Sequence, residues 1–281
     1  MSVLVPTSLD DALAALADHP DATVLSGGTD LMVEVNGGHR RPDHVIAVNR
    51  VPELCTWHHD PGARTLRIGA GITYAEIERE PIALWSPALA QAARTVGSPQ
   101  IRHAATIGGN VGTCSPAGDG LPALRALDAV VELRSSGGVR AVPFAEFMTG
   151  PKRTARQPGE LITAVVVPVA DGYQGYSKVG VRNAMVIATA SVAVVVHGRS
   201  VAIALGSVGP TILRCREAET LAASSADFAA RRLAADVVDE CCELVRRAAR
   251  PIDDHRSTAE YRRHAVGVLA GRLLRRAFPH E

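Results

Sequence analysis

Residues 100–128, QIRHAATIGGNVGTCSPAGDGLPALRALD, concentrate small, turn-forming and hydroxyl side chains in the middle of the chain. Within Thr106-Ile107-Gly108-Gly109-Asn110, two adjacent glycines let the backbone take positive φ and come close to a ligand. Successive amide N–H groups in such a turn form an anion cradle. Further on, Thr113, Ser115 and Asp119 offer hydroxyl and carboxylate groups suited to a sugar or polyol, while Pro116 and Pro122 stiffen the path between them. The stretch reads as one half of a nucleotide site.

The other half lies upstream. In Val24-Leu25-Ser26-Gly27-Gly28-Thr29-Asp30-Leu31 an apolar, strand-like run breaks at a Gly-Gly pair and resumes with a hydroxyl and an acid. Each Gly-Gly alone is an ordinary tight turn. Two of them with hydroxyl and acidic companions favour a ligand clamped from both sides.

These paired segments, SGGTDL and TIGGNVGTCSPAGD, resemble the FAD-binding medium subunit of the molybdenum hydroxylases, the xanthine dehydrogenase and carbon monoxide dehydrogenase family. Similarity continues through Gly69-Ala70-Gly71-Ile72-Thr73-Tyr74, Gly175-Tyr176-Ser177-Lys178 with Arg182, and Asp253-Asp254-His255-Arg256-Ser257 with Tyr261-Arg262. The resemblance implies an α+β chain: a two-part FAD-binding domain of the PCMH (vanillyl-alcohol-oxidase-like) type and a smaller α+β C-terminal domain. The expected parts are residues 1–52, 53–171 and 172–281.

Composition agrees. A chain of 281 residues exceeds the usual single-domain size, so two or three cores are expected. A net charge of +1 and only 4 % aromatic residues exclude a basic field or base-stacking platform for nucleic acid. No secretory signal is recognisable, and the longest apolar stretch, residues 184–196, is shorter than the roughly twenty residues of a membrane helix. The expected compartment is the cytosol. Cys55, Cys114, Cys215, Cys241 and Cys242 have no cluster spacing, so neither zinc nor an iron–sulfur centre is read here, and Cys114 is taken as a small buried hydrophobe.

Along the chain, Ser8 caps a helix over 9–17, strands at 22–25 and 43–48 complete a small αβ unit, and Thr73-x-x-Glu76 forms a capping box. Ser86-Pro87 opens a helix running to Val96, and a short helix covers 121–127. Strands follow at 129–133, 139–142 and 161–168. The last hundred residues read as strands 190–196 and 201–205, then helices over 226–249 and 258–277, the second with Ser257-x-x-Glu260 as a capping box. The basic residues of that helix, Arg262 included, are read as solvated or as facing the negative end of its dipole.

What the resemblance implies about the site is specific. Ser26, Gly27, Gly28, Thr29 and Asp30, with Leu31, face Thr106, Ile107, Gly108, Gly109 and Asn110 across the FAD diphosphate, and Thr113 belongs to the same site. Asp119 bonds a ribityl or ribose hydroxyl, Ile162 sits against the isoalloxazine, and Lys178 approaches the flavin from the other side. Val96 departs from the aromatic found there in the large eukaryotic members. Neither glycine loop contains Lys or Arg, so backbone amides must compensate the about two negative charges of the diphosphate, in an otherwise neutral, polar site. Asp254, His255 and Arg256 are given no chemistry, and no catalytic side chain or metal ligand is assigned.

The implied activity is electron transfer through noncovalently bound FAD. A large subunit holds the molybdenum cofactor, a small one holds [2Fe-2S] clusters, and the flavin discharges to NAD or another acceptor in a dimer of three-subunit units. The substrate is a purine, an N-heterocycle, an aldehyde or carbon monoxide. Two other readings stay open: a free-standing flavoenzyme of the same fold, for which His103 is the only nearby histidine, and an assembly module that has lost flavin.

Overall fold

A computed structural model describes residues 2–279. At the N-terminus, strands Ser2–Leu4, His44–Ala47 and Thr23–Leu25 lie side by side in that order, all parallel. Parallel neighbours need a crossover. Helix Leu9–Asp18 supplies the first, capped by Ser8, whose Oγ accepts from the Asp11 N–H at 3.1 Å. Its Leu13 and Leu16 pack on Ile46, Val48 and Leu54, and on Leu161 from the next sheet. The short helix Leu31–Asn36 lies on the second connection, directly after the first Gly-Gly pair.

The middle sheet is antiparallel, in the order Trp57–Asp60, Thr65–Gly69, Leu161–Pro168, Val130–Ser135, Gly138–Pro143. Leu161–Pro168 is central and largely buried on both faces, hence its unbroken apolar run. A bulge at Thr163 shifts its register between Ile162 and Ala164. The Thr163 hydroxyl donates to Glu132 Oε1 at 2.6 Å and its carbonyl accepts from the Ala70 N–H. Such bulges re-aim side chains, and here Ile162 is turned toward a cleft.

Short helices fill residues 74–126. The Thr73–Glu76 capping box forms, while the helix after Ser86 spans only Pro87–Ala93 and leaves Val96 in the following turn. The supposed ligand loop is largely helical, Ile107–Thr113 followed by Gly120–Ala126. Glycine disfavours helix by about 1 kcal/mol per residue. Tertiary contact overrides that preference: Thr106 caps the helix, and a Cβ on Gly108 would lie 2.5 Å from that of Ala70.

The third sheet, Gln174–Val179, Ala190–His197, Ser200–Gly206 and Leu213–Arg214, is antiparallel in sequence order. Val192, Val194, Ile203 and Leu205 face three helices, whereas Tyr176, Ala193, Val195, Ala202 and Ala204 face the middle core. The helix expected over 226–249 is shorter, Ala235–Ala248, and a further helix that the sequence reading did not place, Arg216–Ser225, precedes it. The last helix is Ala259–Ala277; its cap is Thr258 rather than Ser257, with Thr258 Oγ1 accepting from the Tyr261 N–H. Arg262 is not solvated: it is buried and donates to the carbonyls of Thr189 and Ser207 and to Asp254 Oδ1. Among the described residues no helix is long and apolar enough to cross a membrane.

Candidate functional site

The two Gly-Gly segments, one after strand Thr23–Leu25 and the other at the start of helix Ile107–Thr113, are far apart in sequence and meet at one cleft of about 790 Å³. Three contacts join them. Thr106 Oγ1 donates to Ser26 Oγ at 3.2 Å, and Thr113 Oγ1 donates to Asp30 Oδ2 at 3.3 Å. Gly27 lies so close to the backbone of Ala104 that a Cβ would sit 1.7 Å from its carbonyl oxygen.

Within each pair the glycines divide the work. Gly27 and Gly108 are required by close backbone approach; Gly28, at φ 70°, and Gly109 leave the wall bare. Gly112, one helical turn beyond Gly109, does the same, since its Cβ would meet only Ile162 Cδ1 at 3.5 Å. Leu31 and Thr29 complete the first edge of the cleft and Ile162 forms part of its wall. Ile107 does not reach it. Its side chain is fully buried in the middle core.

The two segments differ in the donors they offer. The N–H of Ile107 is bonded to the Ile72 carbonyl, that of Gly108 to Ala70, that of Gly109 to Thr106 Oγ1, and that of Asn110 to the Thr106 carbonyl. Four of the five amides of the expected cradle at 106–110 are therefore taken, because capping and packing of the helix consume them. At residues 26–31 the reverse holds. Among the described residues, none of those six N–H groups donates to a protein acceptor. The second segment contributes side chains instead: the Asn110 amide and the hydroxyl of Thr113.

The expectation of a neutral site is also corrected. Arg40, Lys152, Arg156 and Arg182 line the cleft, brought in from outside the glycine segments. Lys152 pairs with Glu34 at 2.5 Å and with Asp30 at 3.7 Å, and its hydrogen bond holds the Glu34 carboxyl below the usual range. Arg156 donates to the Glu160 carbonyl at 2.7 Å, and burial lowers its pKa. Arg182 braces the turn at Met185 through that residue's carbonyl.

Asp119 and Lys178 form a buried ion pair at 2.7 Å, each side chain 9 % exposed. Lys178 Nζ also donates to the carbonyls of Thr95 and Val186, so the ammonium stands behind the cleft wall with its donors engaged. Tyr176 donates to the other Asp119 oxygen at 3.0 Å. Burial pushes the Asp119 carboxyl up, against the pull of Lys178 and the Tyr176 hydrogen bond. Asp119 lines the cleft; Lys178 holds it there. His103, considered as a loop strut, is an exposed residue of helix Pro99–Ala104 bonded to the Pro99 carbonyl.

Residues 1–170 match the family described as the FAD binding domain in molybdopterin dehydrogenase, and residues 176–277 match the CO dehydrogenase flavoprotein C-terminal domain. The chain belongs to the FAD-binding subunit family of the molybdenum hydroxylases. It is similar to the glyceraldehyde dehydrogenase medium chain of Sulfolobus acidocaldarius, with 32% identity over 93% of this chain and 92% of that one. It is 29% identical to the xanthine dehydrogenase FAD-binding subunit of Escherichia coli, covering 96% of this chain and 93% of the relative. A chain of the carbon monoxide dehydrogenase from Hydrogenophaga pseudoflava superposes with a TM-score of 0.91 at 30% identity, covering 99% and 97% of the two chains.

This FAD-binding subunit is thus an FAD-dependent oxidoreductase component with the α+β fold of its relatives. Its cleft fits the cofactor on its own chemistry. A row of unclaimed N–H groups suits an anionic diphosphate, Asp119 and Thr113 suit hydroxyls, and Ile162, Val96 and Val186 suit an aromatic ring. The volume lies within the range of small-molecule sites, about 300–1,000 Å³. Sequence reasoning missed Gly112, Tyr74, Arg40, Lys152 and Arg156 as wall residues. Gly112 carried a signal, as a third glycine one turn after Gly109 on the same helical face. The cations carried none, being set in place by distant parts of the chain.

Proposed function

We propose that this subunit is the electron relay of a three-component molybdenum hydroxylase, taking electrons from [2Fe-2S] centres on a small partner and passing them to NAD or another acceptor. A large partner holding the molybdenum cofactor would oxidise the organic substrate, in a cytosolic dimer of three-subunit units. The observation that carries the reading is the row of N–H donors without a protein acceptor at residues 26–31, which line the same cleft as Ile162. The relatives' names add support: glyceraldehyde, xanthine and carbon monoxide dehydrogenases share this one chain architecture, as expected if substrate choice resides on another subunit.

Bound FAD supplies the exchange between one-electron donors and a two-electron acceptor. The chain binds and orients it. Ser26, Gly27, Gly28, Thr29 and Asp30 hold the diphosphate with their amides, and Asn110 and Thr113 reach it from the opposite wall. Gly109 and Gly112 keep the path clear. Asp119, fixed by Lys178 and Tyr176, accepts from a ribityl or ribose hydroxyl. Ile162 lies against the isoalloxazine and, with Val96 and Val186, keeps water from it.

The purified chain is expected to be yellow, with stoichiometric FAD released on denaturation. Mixed with its molybdenum and iron–sulfur partners, its flavin absorbance should bleach when the organic substrate is added, and only if the iron–sulfur subunit is present. Bleaching of the chain alone by an organic substrate would instead favour a free-standing flavoenzyme. A chain that takes up no FAD even with its partners would leave an assembly module.

A further inference from the structure

Two glycines of the central segment pack on a side-chain pair rather than serving a special backbone conformation. A Cβ on Gly118 would lie 2.9 Å from Asn110 Nδ2, and one on Gly120 would lie 2.5 Å from the Tyr74 hydroxyl and 3.2 Å from Asn110 Oδ1. Neither glycine has positive φ. Their missing side chains make room for one contact: the Tyr74 hydroxyl donates to Asn110 Oδ1 at 2.7 Å.

The polarity of that bond is determined by its surroundings. Tyr74 is 1 % exposed, and burial together with the nearby Asp119 charge holds its phenol protonated, with a pKa far above the ordinary value. Among the described residues it has no other hydrogen-bond acceptor. If the amide were reversed, Nδ2 would face a hydroxyl whose own proton had no acceptor, and a buried polar group left unpaired costs about 1–3 kcal/mol. Asn110 Nδ2, by contrast, donates to no protein group among the described residues, and Asn110 lines the cleft.

We infer that Tyr74 is a positioning residue that locks the Asn110 amide with its N–H donors turned to the cleft, so that Asn110 selects a hydrogen-bond acceptor of the bound cofactor. This rests on the FAD reading. The glycines at 118 and 120 serve the same lock by leaving space for it, which accounts for the Ala-Gly-Asp-Gly spacing around Asp119.

A double-mutant cycle in FAD affinity, measured by titrating the deflavinated full-length chain with FAD, tests the inference. Tyr74→Phe keeps the ring and removes the donor; it is expected to weaken FAD binding about tenfold, as for one lost hydrogen bond. Asn110→Ala should weaken binding at least as much. Adding Tyr74→Phe to Asn110→Ala should then change affinity less than about twofold, because no amide remains to orient. The same tenfold loss in both backgrounds would mean that Tyr74 acts only on the fold, and would overturn the inference while leaving the FAD site intact. Failure of the unsubstituted chain to bind FAD would remove the FAD reading itself, and the inference with it.

Discussion

Glycine plays two opposed parts in this molecule, and they separate at single residues. Gly27 and Gly108 are pressed against the backbones of Ala104 and Ala70, so any side chain there strikes the fold. A Cβ on Gly112 would meet only Ile162 Cδ1, at an ordinary van der Waals distance of 3.5 Å. Gly112→Val should therefore leave the apo chain about as stable as before, valine being no worse than glycine in a helix. Its γ-methyls would enter the cleft, and FAD affinity should fall about tenfold or more. Urea unfolding of the apo chain and FAD titration check the two halves separately; an unchanged affinity would place the cofactor elsewhere. The adjacent glycines were legible in sequence as a ligand segment. Which of each pair touches protein and which faces the cleft was not, because that depends on the backbone of a distant element.

Among the elements, the last helix shows how a local signal misleads when its partner is remote. Ser257 and Thr258 both offer a hydroxyl, and Glu260 suggested the first as cap, yet Ser257 turns back so that its N–H donates to Asp254 Oδ1 at 3.2 Å. Asp254 also receives Arg256 and Arg262, and Arg262 in turn bonds two carbonyls of the third sheet. This knot seats the helix on the sheet. Burial tends to raise the Asp254 carboxyl, but the Arg256 N–H and the two guanidiniums outweigh it and hold it well below the usual range. Because the folded pKa lies below the unfolded one, the stabilisation is complete above the unfolded value of about 4 and is lost as pH falls toward the folded one. Asp254→Asn should cost about 3 kcal/mol near neutrality, as for breaking a buried pair, and the difference from the parent chain should shrink below pH about 4. Urea midpoints measured across that range decide it; a constant difference would mean the carboxylate charge is not what matters. Helix Arg216–Ser225 escaped the sequence reading for a related reason. The residues it buries are Ala218, Ala222 and Glu219, the last held by Arg214, so no large apolar stripe marks its face.

Across the whole molecule, the cleft draws its walls from the N-terminal parallel sheet, the middle sheet with its helices, and the turn at Arg182 in the third unit. A ligand that requires all three binds only the assembled chain. FAD should therefore raise the thermal midpoint progressively with concentration, by about 2.7 kcal/mol of apparent stability at a hundred times its Kd. Riboflavin, which lacks the diphosphate, should shift it much less. Equal shifts from the two compounds would show that the open amides at residues 26–31 do not hold a diphosphate. The sequence by itself determined the family, the α+β class, most strands, and the two segments that meet at the site. Those features are encoded in local periodicity and in short runs of glycine and hydroxyl residues. Only the tertiary structure decided that one segment keeps its amides free while the other spends them on a helix cap, that four cations line a cleft whose glycine segments carry none, and that Lys178 holds Asp119 from behind the wall. A residue's type says which hydrogen bonds it is able to make, whereas which of them it does make depends on groups that distant segments bring within about 3 Å.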